Sequence, residues 1–328
     1  MILISFGTRP EFIKIKPLIK AFTGKIPFKL LFTGQHVDLL SDVEGDIHKL
    51  TIEDGSNRLD SIVSSMMNND AVFEGVDAVL VQGDTTSVFA VALAAFHRRI
   101  KIIHLEAGLR TFNKDHPYPE EFNRRAVSVM ADIHLSPTEL CTDNLLKEKI
   151  DGKIFTVGNT VLDNLVHIKP EYTNKIVITM HRRENHHIIP EWFAAFDKLA
   201  KDNPQYNFII PLHPNPNVKK YKNLLKHVEV VEPMDYNNFI ELLSKARLVI
   251  TDSGGLQEES SFFNKKCIVC RETTERVEGM GTFAFMSSPD RVENDFYLLI
   301  DDYIPNDNCP YGDGKSADRI TNILLDEI

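Results

Sequence analysis

Residues 251–260 read T-D-S-G-G-L-Q-E-E-S, and this stretch decides the fold of the second half of the chain. The apolar run Leu248-Val249-Ile250 precedes it and predicts a buried strand, and residues 256–263 continue with a helical pattern. A strand, a glycine turn and a helix N-terminus bind anions well, because free backbone N–H groups and the helix dipole point at the ligand. Gly254 and Gly255 would let a phosphate approach the main chain, although the stretch also fits a plain turn into a capped helix.

Three polar side chains in this stretch are candidates for contacts with a nucleotide. Ser253 stands where the N-cap of the helix is expected. Glu258 and Glu259 lie about one turn into the helix, where a carboxylate could accept hydrogen bonds from ribose hydroxyl groups.

The composition is that of an acidic globular protein. The chain has 328 residues, enough for two domains, and its formal net charge of -10 argues against a nucleic-acid partner. No apolar run approaches the ~20 residues that a membrane span needs. Residues 1–6 lack the basic flank of a signal peptide and predict a first core strand. We therefore expect a cytoplasmic protein that binds neither nucleic acid nor membranes.

The chain contains a C-x-x-C sequence at Cys267 and Cys270, within an apolar run that predicts a strand. Residues three apart on a strand point to opposite faces, so these two thiols are not expected to share a metal or form a redox pair. The other cysteines, Cys141 and Cys309, stand alone in the sequence.

Short apolar runs alternate with helical patterns along the whole chain, which predicts an α/β fold with parallel sheets covered by helices on both faces. A polar break containing Pro170 divides the pattern into two doubly wound halves facing across a cleft. The predicted strands are residues 2–5, 29–33, 78–82, 101–105, 133–136, 154–157, 176–180, 207–212, 228–231, 248–250 and 266–270.

Polar side chains follow several predicted strands directly, and the fold gathers such residues along one edge of a sheet, where ligands bind. Those of the first half are Arg9, His36, Asp84 and Glu106. Cationic side chains that could neutralise a diphosphate are Arg9, Lys14, His181, Arg182, His213, Arg271 and Arg276. Carboxylates suited to acid/base chemistry on a neutral sugar are Asp84, Glu106 and Glu120. Taken singly, each of these residues fits a helix cap or an ion pair equally well.

Several common cofactor motifs are absent from the sequence. It contains neither G-x-G-x-x-G after the first strand nor G-x-x-x-x-G-K-[ST], so a dinucleotide or a P-loop nucleotide has little support. The group His181, His186 and His187 is a poor metal site, because Arg182 and Arg183 lie within it and repel a cation.

Twelve short motifs cover nearly the whole chain in order. In the first half they are G-T-R-P-E-F-I-K at 7–14, G-Q-H at 34–36, Q-G-D-T-T-S at 82–87, H-L-E-A-G-L-R-T at 104–111, P-E-E-F-N-R-R at 119–125 and G-N-T-V-L-D at 158–163. In the second half they are H-R-R-E-N at 181–185, H-P-N-P at 213–216, E-P-M-D-Y at 232–236, D-S-G-G-L-Q-E-E at 252–259, R-E-T-T-E-R-V-E at 271–278 and P-Y-G-D-G at 310–314. This series resembles the non-hydrolysing UDP-N-acetylglucosamine 2-epimerase family.

The resemblance implies a GT-B-like fold with two Rossmann-like domains. Residues 1–168 would form the domain that carries the sugar and the acid/base groups, and residues 169–310 the UDP-binding domain. Residues 311–328 would form a C-terminal helix that packs back on the first domain. A homodimer is also implied.

The resemblance further implies a reaction that needs neither metal nor NAD. UDP is eliminated across C1–C2 to give a glycal and adds back after a proton has returned to the opposite face of C2. The acid/base groups of the family fall on Asp84, Glu106, Glu120 and His181. Its nucleotide contacts fall on Arg9, Lys14, Phe239, Ser253, Gly254, Gly255, Glu259 and Arg276, and His213 is a further candidate for substrate binding.

The sequence departs from the family pattern near the expected site of a regulatory second UDP-GlcNAc. Residues 35–38 read Q-H-V-D and residues 56–59 read S-N-R-L, so most polar groups for a second sugar nucleotide are missing. We therefore expect no allosteric activation by UDP-GlcNAc. His187 replaces a usual glycine and the segment between Asp302 and Pro310 is short, which bears on the identity of the sugar.

Several alternatives to a UDP-GlcNAc 2-epimerase remain open at the level of sequence. The first is a 2-epimerase for a UDP-linked 6-deoxy-L-HexNAc sugar. A hydrolysing 2-epimerase is disfavoured by Pro10-Glu11, and a GT-B glycosyltransferase has no need of all three carboxylates, Asp84, Glu106 and Glu120. A non-catalytic UDP-sugar-binding protein would not require the intact acid/base positions.

Overall fold

The computed structural model describes residues 1–35, 47–52, 55, 57–302 and 308–328. The chain divides into two compact units, Met1–Asn164 with Gly312–Ile328, and Leu165–Tyr311. The expected residues His36, Val37, Asp38 and Ser56 lie outside the described residues. No helix in the described ranges is long and apolar enough to cross a membrane.

The first unit contains a seven-stranded parallel sheet with the strand order β3-β2-β1-β4-β5-β6-β7. Its strands are β1 Ile2–Phe6, β2 Phe28–Phe32, β3 Ile47–Lys49, β4 Ala78–Gln82, β5 Lys101–Leu105, β6 Ile133–Ser136 and β7 Lys153–Thr156. The helices are α1 Arg9–Phe22, α2 Arg58–Met67, α3 Thr86–His97, α4 Glu120–Met130 and α5 Glu139–Lys147. Every residue of β1 and β4 is buried, as expected for parallel strands covered on both faces.

The second unit repeats the same order, β10-β9-β8-β11-β12-β13, in a six-stranded parallel sheet. Its strands are β8 Lys175–Thr179, β9 Asn207–Pro211, β10 Glu229–Val231, β11 Ala246–Thr251, β12 Lys266–Val269 and β13 Ala284–Met286. The helices are α6 Ile189–Asp202, α7 Pro216–Lys219, α8 Tyr236–Ser244, α9 Gly254–Phe262 and α10 Val292–Leu299. Both units therefore have the doubly wound order of Rossmann-like domains, which confirms the predicted α/β fold class.

The C-terminal helix α11, Ser316–Glu327, belongs to the first unit. Ala317, Ile320 and Leu324 on its inner face join the core that also contains the buried residues of α1. The Asp163 carboxylate accepts hydrogen bonds from the backbone N–H groups of Ser316 at 3.2 Å and Ala317 at 2.7 Å, and so satisfies the start of the helix. The aspartate of the G-N-T-V-L-D motif thus has a structural role.

Most predicted strands are confirmed within one or two residues at each end, and β4, β5 and β6 match to the residue. The sequence did not predict β3 or β13, which are three residues long. The Cys267 and Cys270 thiols are both buried and unbonded to each other, and burial raises the pKa of each.

Gly108, in the H-L-E-A-G-L-R-T motif, is required by the fold. Its φ is +93°, and a Cβ atom there would lie 2.2 Å from the backbone oxygen of Cys141. Gly24 has a similar φ of +76°, but a Cβ atom added there would meet nothing within 4 Å. We predict that Gly108→Ala lowers the free energy of unfolding by ~3 kcal/mol, through backbone strain and the clash, whereas Gly24→Ala lowers it by ~1 kcal/mol through backbone strain alone.

Urea unfolding followed by circular dichroism measures both changes. Equal losses in the two variants would show that contact with Cys141 is not what requires glycine at position 108.

Candidate active site

Glu106 follows β5 directly and forms a part-buried ion pair with Lys14 of α1. The Lys14 Nζ atom lies 2.6 Å from each carboxylate oxygen, and the Gln82 side-chain amide also donates to Glu106. Glu106 is only 8% exposed and has a φ of +66°. Such a backbone conformation is costly for a residue with a side chain and is often found at functional sites.

Asp84 follows β4, which pairs with β5, and is held by residues of α4. The Arg124 guanidinium donates to Asp84 Oδ2 from Nε at 2.9 Å and from Nη2, and the Asn123 side chain donates to the Asp84 backbone oxygen at 2.9 Å. The structure thus brings Asp84 and Glu106 to the ends of neighbouring strands, as the sequence predicted.

A buried carboxylate, Glu121, anchors Arg124 in turn. Glu121 accepts hydrogen bonds from the backbone N–H groups of Thr111 and Phe112, each at 3.0 Å, and lies 3.2 Å from Arg124 Nη1. The sequence interpretation selected only Glu120 from this motif and missed Glu121, Asn123 and Arg124. The i,i+3 spacing of Glu121 and Arg124 on one helix face was the available signal.

The loop between β1 and α1 is shaped by Thr8 and Glu11. Thr8 is the N-cap of α1, and its hydroxyl accepts a hydrogen bond from the Glu11 backbone N–H at 3.5 Å. The Glu11 carboxylate in turn accepts one from the Gly7 backbone N–H at 2.6 Å, and burial raises the pKa of Glu11 to about 7. The glutamate of the G-T-R-P-E motif therefore caps the helix whose first residue is Arg9, which is exposed.

His104, on β5, holds the turn that precedes Asp84 through a hydrogen bond to Gly83. It is fully buried, and burial lowers the pKa of its imidazole to about 3, so the ring is neutral at physiological pH. Its Nε2 atom donates to the Gly83 backbone oxygen at 2.8 Å. Glu120, the first residue of α4, is half-buried.

In the second unit, α9 begins at Gly254, within the glycine turn that the sequence predicted after β11. A Cβ atom at Gly254 would lie 2.9 Å from Glu275 Oε1 and 3.5 Å from the Arg276 guanidinium carbon, whereas one at Gly255 would meet nothing within 4 Å. Ser253 occupies the N-cap position, as the sequence predicted, but its side chain makes no capping hydrogen bond. The Arg276 guanidinium group and the Glu275 carboxylate therefore leave no room for a side chain at position 254, whereas position 255 has open space around it.

Three arginines converge on Glu275, which is almost completely buried. Arg276 Nη1 donates to it, Arg271 Nη1 lies 3.1 Å away and Arg182 Nη2 4.0 Å away. Burial alone would raise the pKa of Glu275, but the three guanidinium groups outweigh it and lower the pKa below its usual range. Arg276 also donates from Nε to Glu258 at 2.9 Å, so Glu258, a candidate for ribose binding, is instead an ion-pair partner.

Glu259 is the carboxylate of α9 that contacts α8. The Tyr236 hydroxyl donates to Glu259 Oε1 at 2.9 Å. Phe239 lies one helical turn after Tyr236 and is half-buried. The structure therefore places Glu259 beside the helix that carries Phe239.

His181 follows β8 and stacks on His213, which follows β9. The ring centroids are 5.5 Å apart and the ring planes differ by 21°. Burial, and secondarily the nearby His181, lower the pKa of His213. Asp252, which the sequence interpretation treated only as the end of a strand, contacts His181 and completes this group.

No group of three or more His, Cys, Asp or Glu side chains within the described ranges is arranged to hold a metal ion.

A family model described as UDP-N-acetylglucosamine 2-epimerase matches residues 21–325. The chain is similar to a UDP-N-acetylglucosamine 2-epimerase from Campylobacter jejuni, with 37% identity over 99% of this chain and 97% of the relative. It is also similar to the crystal structure of UDP-GlcNAc 2-epimerase from Neisseria meningitidis bound to UDP-GlcNAc, with a TM-score of 0.89, 36% identity and 99% of each chain covered.

A second similar structure is that of a putative UDP-N-acetylglucosamine 2-epimerase from Listeria monocytogenes, with a TM-score of 0.91 and 35% identity over 99% of this chain and 96% of that one. These matches confirm the GT-B-like, two-domain α/β architecture. The chain belongs to the UDP-N-acetylglucosamine 2-epimerase family, a family of isomerases.

Proposed function

We propose that this protein is a non-hydrolysing UDP-N-acetylglucosamine 2-epimerase that interconverts UDP-GlcNAc and UDP-ManNAc. The observation that carries the proposal is the pair of carboxylates at the ends of β4 and β5, Asp84 and Glu106. Each is held by a cation, Arg124 or Lys14. This chain matches these epimerases over 99% of its length and holds two carboxylates in fixed positions, which supports acid/base roles for them.

The proposed reaction has two balanced steps. In the first, a base removes the proton from C2 while the C1–O bond to UDP breaks, which gives a glycal with a C1–C2 double bond. In the second, a proton adds to the opposite face of C2 and a UDP oxygen re-forms the bond to C1. We assign these proton transfers to Asp84, Glu106, Glu120 and His181.

The leaving UDP gains negative charge, so a fixed positive site lowers the barrier for its departure. We propose that the second unit provides this site through Arg276 and the N-terminus of α9, because both lie against Gly254. The residues proposed to bind substrate are Arg9, Lys14, His213, Phe239, Ser253, Gly254, Gly255, Glu259 and Arg276.

UDP-GlcNAc is the substrate that we favour over a UDP-linked 6-deoxy-L-HexNAc sugar. The relatives described above are named for UDP-GlcNAc, and the Neisseria meningitidis structure holds it. We further propose a cytoplasmic role in the synthesis of precursors for surface polysaccharides or glycans.

Proton NMR in D2O with UDP-GlcNAc tests the proposed function. We expect UDP-ManNAc to appear with deuterium at C2 of both sugars, because the proton removed from C2 exchanges with solvent before it returns. Free ManNAc with UDP would identify a hydrolase instead. Turnover confined to 6-deoxy-L-HexNAc sugars would change the substrate and keep the mechanism.

Replacing Glu106 tests the acid/base assignment. We predict that Glu106→Gln lowers kcat by a factor of roughly 10² to 10⁴, the usual contribution of a general acid or base, while UDP binding changes by less than about threefold. Steady-state kinetics and calorimetry with UDP measure the two quantities.

The matched control is Glu327→Gln, which removes a carboxylate from the Lys153–Glu327 ion pair in the same unit. This variant should keep the wild-type kcat. A Glu106→Gln enzyme with unchanged kcat would remove Glu106 from the proton-transfer steps.

We also propose that the protein is a homodimer joined through α3 and α4. Phe122 and Val129 of α4 are 55% and 73% exposed and lie two helical turns apart on one face. The Phe89 ring of α3 contacts Phe122 at 5.9 Å, and Phe96, two turns further along α3, is 54% exposed. These side chains lie on the adjacent helices α3 and α4 and form an apolar surface that a second copy would cover.

Light scattering after gel filtration tests the dimer. We expect the wild-type protein at twice the mass of one chain and Val129→Glu at the mass of one chain, because a buried unpaired carboxylate opposes association. Leu298→Glu, at an exposed apolar residue of α10, is the control and should remain dimeric. A wild-type monomer, or a dimer that survives Val129→Glu, would contradict this interface.

A further inference from the structure

Asp252 is a fully buried carboxylate whose two oxygens have different surroundings. It follows β11, and its Oδ2 atom accepts hydrogen bonds from the backbone N–H groups of His181 at 2.9 Å and Arg182 at 2.8 Å. The Asn185 side-chain amide donates to the same oxygen at 3.2 Å and to the Cys270 backbone oxygen at 2.9 Å. Three N–H groups therefore converge on one oxygen and fix the orientation of the carboxylate.

The other oxygen, Oδ1, is left for the imidazole of His181. It lies 3.3 Å from His181 Nδ1 and accepts no hydrogen bond of conventional geometry from the described residues. Buried carboxylate oxygens are almost always hydrogen-bonded. Catalytic hydrogen bonds are often long in the absence of substrate and shorten when it binds, so a 3.3 Å distance between His181 Nδ1 and Asp252 Oδ1 is compatible with such a bond.

We propose that Asp252 is a positioning residue that selects the tautomer of His181 by holding a proton on Nδ1. The inference rests on the proposed function, in which His181 exchanges a proton with the substrate. With Nδ1 committed to Asp252, Nε2 is the nitrogen that takes up or gives back that proton. The carboxylate also stabilises the imidazolium that forms whenever Nε2 is protonated.

The stacked His213 ring supports the same orientation. His213 covers one face of the His181 ring and so fixes the plane of that ring. Asp252 then determines which ring nitrogen of His181 points toward the carboxylate. β8 and β11 are neighbours in the sheet, at the point where the strand order reverses and ligands bind in this fold. The pair therefore lies where a substrate is expected.

The variant Asp252→Asn makes a sharp test because the three N–H donors dictate how the amide sits. They require its oxygen at the position of Oδ2, so its NH2 group occupies the position of Oδ1 and donates to His181 Nδ1. The imidazole must then carry its proton on Nε2. We expect an inverted tautomer, a kcat lower by a factor of about 10³ to 10⁴, and UDP affinity within about threefold of the wild type.

The tautomer is read from the imidazole ¹⁵N chemical shifts of protein labelled at histidine, with the His181 signals assigned by comparison with His181→Gln. Calorimetry with UDP and a thermal melt report binding and folding. The wild-type spectrum tests the proposal without any variant, since neutral His181 should carry its proton on Nδ1.

The chain offers a matched control in Asp197, which pairs with His227 elsewhere in the second unit. Asp197 Oδ1 accepts from the backbone N–H groups of Lys226 at 2.5 Å and His227 at 2.6 Å, and Oδ2 lies 2.9 Å from His227 Nδ1. Asp197→Asn should therefore invert the tautomer of His227 and leave kcat unchanged.

Two results would overturn the proposal. One is a wild-type His181 that carries its neutral-state proton on Nε2. The other is a folded Asp252→Asn protein whose kcat stays within about threefold of the wild type, far from the loss that an inverted tautomer causes. A wild-type protein that binds UDP with the expected tautomer but does not turn over UDP-GlcNAc would contradict the proposed function alone.

Discussion

A carboxylate buried at the end of a parallel strand is stable only if donors surround it, because desolvation of an unpaired charge costs several kcal/mol. This constraint organises both units. Lys14 and Gln82 surround Glu106 in the first unit. In the second unit, the backbone N–H groups of His181 and Arg182 and the Asn185 amide surround one oxygen of Asp252. The strand ends place the carboxylates, and neighbouring elements of the same unit bring the donors.

The same arrangement prepares the protein for charge that develops during a reaction. Donors that are already oriented need not reorganise when charge moves, and this is the main way in which enzymes lower barriers for such steps. In the second unit, Glu275 holds Arg276 and Arg271 close to the N-terminus of α9, although their charges repel one another. A phosphate entering there would meet cations that the fold has already gathered.

The sequence predicted the strands well and the supporting contacts poorly, for a physical reason. A strand such as β4 is encoded by adjacent apolar residues, so its span can be read directly from the chain. The partner of Asp84 lies 40 residues away in Arg124, and only the folded chain brings the two together. Glu258 was a candidate for ribose binding, but its ion pair depends on where Arg276 lies, which the local sequence pattern does not specify.

One sequence signal acquires a different meaning from the structure. Pro10-Glu11 argued against a hydrolysing enzyme, yet Glu11 lies in a helix cap, where its carboxylate holds the Gly7 backbone. Gly7 itself admits no side chain, since a Cβ atom would lie 2.3 Å from Thr33 Oγ1. The motif therefore fixes the path of the backbone from β1 into α1, the helix that carries Lys14 to Glu106. A change at Glu11 would therefore disturb the Lys14–Glu106 ion pair indirectly, through the position of Lys14 on α1.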